Sequence, residues 1–213
     1  MKELGNGLKI TGIGIKRYST CRYEHGAIDT ILEMVQAHDI TPEDVREVKI
    51  RLVQAAMPIV AEPREVKYQP RTEMDAMHSM PYGAAVALAR GGASIEEHVR
   101  DVITAPDVQA LLPRVRCVHD PELEYDFPAR WPTVVQIQTL NGEVFEKRRE
   151  YPHGDAEDPL SWEEIRAKVE HLIGNRMHDK AHREVECALR GLEHLSDINE
   201  LMKYLRRVKP KGV

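Results

Sequence analysis

At 213 residues, with 42% apolar and 31% charged side chains, the chain has the composition of an ordinary folded protein and is long enough to bury a substantial core. A formal net charge of -5 and an aromatic content of 5% exclude nucleic acid and anionic membrane surfaces as expected partners, because the molecule repels phosphate and offers few stacking faces. No apolar run reaches the length of a membrane span and the first residues lack the apolar core of a secretory signal, so the expected location is cytoplasmic.

In chain order, Leu8 to Ile15 alternates apolar with small or polar residues and predicts a strand ending in a loop. From Glu24 to His38, Ala27, Ile28, Ile31, Leu32, Met34 and Val35 recur at helical spacing. Thr41-Pro42-Glu43-Asp44 reads as a cap and first turn leading into a strand marked by Val45, Val48, Ile50 and Leu52. An irregular stretch from Ala55 to Gln69, punctuated by Pro58 and Pro63, follows. The spacing then predicts one helix from Thr72 to Arg90, capped by Thr72 and stopped at Gly91-Gly92. Its small residues, Gly83, Ala84, Ala85, Ala87 and Ala89, let a neighbour approach closely, so it should be buried.

Ser94 caps a short helix to Arg100, and Pro106 begins another. Strands return at Arg114 to His119, Thr133 to Leu140 and Val144 to Tyr151, the last two joined by the hairpin signal Asn141-Gly142. After Pro152-His153-Gly154-Asp155 the pattern is all helix, at Ser161 to Ile173, Met177 to Leu192 and Asp197 to Leu205. The expected fold is therefore α+β, a two-layer sandwich with helices covering a mainly antiparallel sheet over residues 1–155, followed by a C-terminal helical segment over 156–213. Three short helices bury little by themselves, so the tail should pack against something else and expose apolar surface until it does.

The densest chemistry lies between the first expected strand and helix, where Lys16, Arg17, Arg22 and His25 place three fixed cations and a histidine in an acidic protein. Backbone amides at a helix start add partial positive charge, and Lys or Arg pairs with carboxylate oxygens, so the stretch reads either as an anion site or as a solvated basic loop. The cysteines Cys21, Cys117 and Cys187 are too widely spaced for a Cys-x-x-Cys metal site. His178 and His182 stand one helical turn apart, but with no His-Glu-x-x-His pattern they read as an exposed polar face, and Arg206, Arg207, Lys209 and Lys211 as a solvated terminus.

Three blocks in order carry a resemblance: Lys16-Arg17-Tyr18 with Cys21-Arg22, His25 and Ile28-Asp29; Asp75 to Tyr82 with its alanines; and Tyr151-Pro152-His153-Gly154-Asp155 with Asp158-Pro159-Leu160-Ser161. Together they resemble the MmgE/PrpD family, whose members are 2-methylcitrate dehydratase-like enzymes. The resemblance implies a cofactor-independent lyase or isomerase acting on small di- or tricarboxylates, with residues 1–155 as a lid domain and 156–213 as helices that pack on a helical domain. That helical domain has no counterpart here, so the chain is expected to be either a split subunit with a helical-domain partner chain, forming a homo- or hetero-oligomer, or a truncated fragment or remnant, and to be inactive in isolation. A noncatalytic carboxylate-binding or protein-interaction module is the competing reading.

By matching position, the resemblance implies that Lys16 and His25 are catalytic and that Arg17, Cys21, Arg22, Tyr68 and Ser79 bind substrate. Cys21 stands where the family's decarboxylases carry a histidine, which speaks against decarboxylation. Removing a proton beside a carboxylate needs a base and a cation for the developing enediolate; Lys16 is ranked first as the cation, with His25 as the acid/base group. No cofactor or metal is implied. His78 reads as a hydrogen-bonded structural histidine, and Ser79 is read equally well as a plain helix hydroxyl.

Overall fold

A computed structural model describes residues 9–173 and 179–206, which divide into two compact units, 1–160 and 161–213. In the first unit, α1 (Arg22–His38) buries Ala27, Ile28, Ile31 and Met34 along one stripe. It ends at Asp39, whose left-handed backbone (φ 50°) lets its N–H reach the Val35 carbonyl. A 3-10 turn at Pro42–Asp44, closed by a capping box between Thr41 and Asp44, delivers the chain into β1 (Val45–Leu52). Val45, Val48, Ile50 and Leu52 all turn into the core.

After a π-helical turn at Met57–Ala61 come the short helices α2 (Arg64–Lys67) and α3 (Glu73–Ala76), then α4 (Met80–Arg90). The single helix expected over 72–90 is thus two, broken at Met77–Ser79. Pro81 cannot donate to the residue 77 carbonyl and its ring would collide with it, so a continuous helix is strongly disfavoured and the chain breaks there. The Ser79 hydroxyl instead accepts from Tyr82 N at 3.1 Å and restarts the helix. Thr72 caps α3 and Gly91 (φ 71°) closes α4, both at the expected ends.

The helices α5 (Arg100–Ile103) and α6 (Pro106–Leu111) lead to β2 (Val115–His119), and a long connection leads to the hairpin of β3 (Thr133–Thr139) and β4 (Val144–Arg149) around Gly142 (φ 92°). The sheet order is β2-β1-β3-β4. The β1–β2 pair is parallel, in register Ile50↔Cys117, and the other two pairs are antiparallel, with Ile50↔Val135 and Ile137↔Phe145. α1 packs on α4 and on β3 and β4, while α4 reaches β2, giving the two-layer α+β sandwich.

The strand expected over Leu8–Ile15 is not formed among the described residues. Lys9–Gly12 is a 3-10 turn, and Ile10, Ile13 and Ile15 are 70%, 65% and 46% exposed. Alternation signals a strand only where a sheet edge accepts it; here the backbone is tied to a loop instead, with Ile15 N donating to Gly154 O at 2.7 Å. Gly154 holds that contact at φ 106° and its own N–H reaches Asp158 O at 2.7 Å.

The second unit comprises α7 (Trp162–Ile173), α8 (Asp179–Arg190) and α9 (Asn199–Leu205). Val185 and Leu201 form its small core with Ile173, Ala181 and Tyr204, and Arg166 forks onto Glu186 at 3.0 and 2.7 Å. Trp162, Leu189 and Ile198 remain about half exposed, the apolar surface the short helices were expected to leave. His182 lies 3.7 Å from Glu170. His178, Arg207, Lys209 and Lys211 lie outside the described residues. Among the described residues no helix is long and apolar enough to cross a membrane.

A methyl group on Gly154 would overlap the Ile15 carbonyl oxygen and strain a left-handed backbone. Gly154→Ala should therefore cost about 1–3 kcal/mol, read as a lower urea midpoint at unchanged slope; an unchanged midpoint would contradict this tie.

Candidate active site

The first turns of α1 set the site. Arg22, His25 and Asp29, spaced i, i+3, i+7, share one helix face. Arg22 Nε donates to Asp155 Oδ1 at 3.1 Å and a second guanidinium nitrogen contacts Oδ2, while the guanidinium lies 3.7 Å from the centre of the Trp131 ring. His25 is buried, with Nε2 3.4 Å from Thr20 O and its ring edge-to-face with Tyr18 at 5.3 Å. Asp29, also buried, accepts from Tyr18 Oη at 2.7 Å, His153 N at 2.9 Å and Arg17 at 3.4 Å. Burial raises the Asp29 pKa, the His153 amide and the Tyr18 hydroxyl pull it back, and burial likewise drives the Tyr18 phenol far up. These contacts fasten α1 to the 15–20 segment on one side and to the 151–158 loop on the other.

Between them lies a cavity of about 440 Å³. Lys16, Arg22, His25 and His153 line it with Asp155 and Glu157, and Ile15, Pro128, Ala129 and Trp131 form its apolar side. Lys16 Nζ donates to Thr20 O at 2.9 Å, so the ammonium of Lys16 and the imidazole of His25 converge on one carbonyl oxygen. Trp131 is held rigidly, stacked on Tyr23 at 4.7 Å, met edge-on by Phe127 at 5.5 Å, and bonded through its amide to Glu150 O at 3.0 Å. A fixed cation and a proton-exchanging ring beside one concavity can hold an anion and move a proton next to it.

Of the residues singled out in the sequence, Lys16, Arg22 and His25 come together at this cavity. Arg17 turns to Asp29 and to the Tyr18 ring, 5.5 Å away. Cys21, Tyr68 and Ser79 do not line it. Cys21 precedes α1, with its amide bonded to Met77 O at 2.8 Å, and burial raises its thiol pKa. Tyr68 Oη accepts from Cys117 N at 3.4 Å beneath the Arg64 guanidinium, 3.9 Å from its ring, and burial pushes the Cys117 thiol up to about 12. Ser79 caps α4 and donates to Lys67 O. His78 rests 3.1 Å from Met74 O, a local structural contact. Among the described residues no three His, Cys, Asp or Glu side chains gather as a metal site requires.

Sequence reading missed Trp131 and Asp155, whose roles depend on contacts more than a hundred positions away, and it missed Glu24. A glutamate in the first turn of a helix reads as a surface residue favoured by the helix dipole. Here its side chain is wholly buried against α4, and neither carboxyl oxygen has a hydrogen-bond partner among the described residues. A methyl on Gly83 would come within 2.9 Å of Glu24 Oε2, so the absent side chain at 83 makes the space. Burial raises the Glu24 pKa well above the ordinary glutamate value, against the weaker opposing pull of Lys67 and Lys16.

The native state therefore keeps a proton that the unfolded chain has released, and stability falls as pH rises from the ordinary glutamate range through the raised folded value. Glu24→Gln removes this term. Its melting temperature should match the parent near about pH 4.5 and exceed it by on the order of 5 °C near about pH 8; parallel curves at both values would refute the buried neutral acid.

Residues 18–191 match the MmgE/PrpD C-terminal domain. The chain is 26% identical over 144 residues to cis-aconitate decarboxylase of Mus musculus, an alignment covering 68% of this chain and 29% of that protein. The chain thus spans under a third of that relative's length. The matched stretch takes in α1, the whole sheet and the cavity-lining loop, and on that match over most of its length the chain belongs to the MmgE/PrpD family.

Proposed function

We propose that this chain supplies the carboxylate-binding lid of a cofactor-independent lyase or isomerase acting on small di- or tricarboxylates. The observation that carries the reading is the convergence of Lys16 and His25 on Thr20 O at the edge of the cavity. A proton on carbon next to a carboxylate is weakly acidic, and its removal places negative charge on the carboxylate oxygens. Lys16, as a fixed cation, stabilises that charge, and His25 exchanges the proton. Arg22 sits further back, already forked onto Asp155, so it orients the wall and offers a substrate carboxylate a competing partner.

In this reading residues 1–155 form the lid and the helices of 156–213 dock on the family's helical domain. That docking covers the apolar residues exposed on the terminal helices. Turnover needs both halves, since the lid holds the acid and its cation but only one wall of the reaction chamber. A binding module without turnover remains the alternative, and mixing experiments separate the two.

Calorimetric titration of the full chain with citrate or succinate should show binding that Lys16→Ala weakens by about tenfold or more, the loss of one charge-assisted contact. His25→Gln should retain binding yet abolish hydration or epimerisation once the helical-domain partner is added. Carboxylate affinity indifferent to Lys16→Ala would end the assignment, and binding with no turnover on mixing would favour the module.

A further inference from the structure

The acceptor on which Lys16 and His25 converge is a backbone atom, so whatever holds the Thr20 peptide sets the site. Its two neighbours are bonded to other parts of the fold: Ser19 N donates to Ala93 O at 3.1 Å, and Cys21 N to Met77 O at 2.8 Å. Ala93 is buried and opens a turn that ends in the 3-10 segment Glu96–His98. His98 closes that turn from inside. Its Nδ1 lies 2.6 Å from Ser94 O, and since a carbonyl only accepts, Nδ1 carries the hydrogen. The ring is buried edge-on to Tyr82 at 5.5 Å. Nε2, left with the lone pair, has no hydrogen-bond partner among the described residues.

A neutral imidazole fits this pocket and an imidazolium does not, because the second N–H would be buried without an acceptor. The groups that face the ring are Glu97 from its own turn, Glu73 from α3 and the Tyr82 ring from α4. Glu97 is engaged with the Ser94 amide at 2.7 Å and with the Ser94 hydroxyl, and the Tyr82 hydroxyl donates to Glu97 O. Glu73 is exposed, as are Arg100 and Asp101, the charged residues of α5, which packs on the turn. Burial outweighs the Ser94 carbonyl and the two carboxylates, and it lowers the His98 pKa.

We propose that His98 is a positioning residue that works as a proton-operated latch: neutral, it holds the 93–98 turn against the Ser19 amide, and on taking up a proton it leaves its pocket and frees that amide. The Thr20 peptide, which gathers Lys16 and His25, is then held on the Cys21 side only. The proposal rests on the reading of that gathering as a carboxylate site. Only the open turn accommodates the charged ring, so the closed turn is favoured above the ordinary histidine range and is lost as pH falls from there through the lowered value. Linkage makes the effect reciprocal, because a carboxylate that prefers the closed turn moves the His98 midpoint further down.

Amide hydrogen exchange on the full chain reads the latch without a ligand. From about pH 7.5 to about pH 5 the Ser19 amide should lose about tenfold in protection, beyond the change in intrinsic exchange rate, while the Cys21 amide keeps its own. His98→Asn, whose side-chain amide stands in for Nδ1–H and does not titrate, should hold the Ser19 protection throughout. In calorimetric titration with succinate, the parent's affinity should fall about fivefold more over the same range than that of His98→Asn. His25 and the probe titrate with both proteins, so the difference isolates His98. The ring resonance of His98 in the parent chain supplies a readout that needs no variant; its midpoint should lie below the ordinary histidine value and move further down when succinate is added. Ser19 protection indifferent to pH, or a His98 midpoint unmoved by succinate, overturns the latch while Lys16-dependent binding stands. Succinate binding unaffected by Lys16→Ala overturns the carboxylate reading itself, and the proposal with it.

Discussion

A buried carboxylate must be satisfied, and the satisfaction of Asp29 organises everything around it. Its partners come from outside α1: the Tyr18 hydroxyl and Arg17 from the preceding segment, and the His153 amide from the loop that follows β4. An unmade bond to a buried anion costs several times what a made one contributes, so the three segments are held in one arrangement. The cavity exists because Arg22 and His25 stand on the same helical face two turns and one turn earlier, which places them between those segments. Held this way, Lys16 and His25 are brought to a common acceptor, Thr20 O.

Much of this architecture could be read from the residues. The stripe Ala27, Ile28, Ile31, Met34 specified α1, Asn141-Gly142 specified the β3–β4 turn, and Pro106 marked the start of α6, because each is a local signal with a local cause. Two local signals misled. The alternation before Lys16 is tied to the 151–158 loop through Ile15 instead of pairing with a strand, and Pro81 interrupts a helix whose hydrophobic pattern runs straight through it. The candidate site was legible at Lys16, Arg22 and His25, which are neighbours in sequence. Asp155 and Trp131 were not, since pairing across the fold leaves no trace in spacing. Nor was Glu24, where a charged residue type conceals an enclosed acid whose pKa burial raises.

The cavity also constrains what the family membership implies. Its two fixed cations, Lys16 and Arg22, face two carboxylates, Asp155 and Glu157, and the Asp155 charge is taken up by Arg22. Arg17, the most conspicuous cation beside Lys16 in sequence, serves the scaffold through Asp29. Cys21, a half-buried neutral thiol, belongs to the packing behind the cavity and not to its nucleophilic chemistry.

The chain has two tryptophans, and they fall one to a unit: Trp131 under the Arg22 guanidinium at the cavity, Trp162 under Arg190 in the terminal helices. Indole emission is sensitive to an adjacent cation, so each ring is an intrinsic optical reporter of its own half. With Trp162 replaced by phenylalanine, the remaining fluorescence would report any change in the contact between Arg22 and Trp131, giving a label-free view of the cavity in a protein of ordinary size.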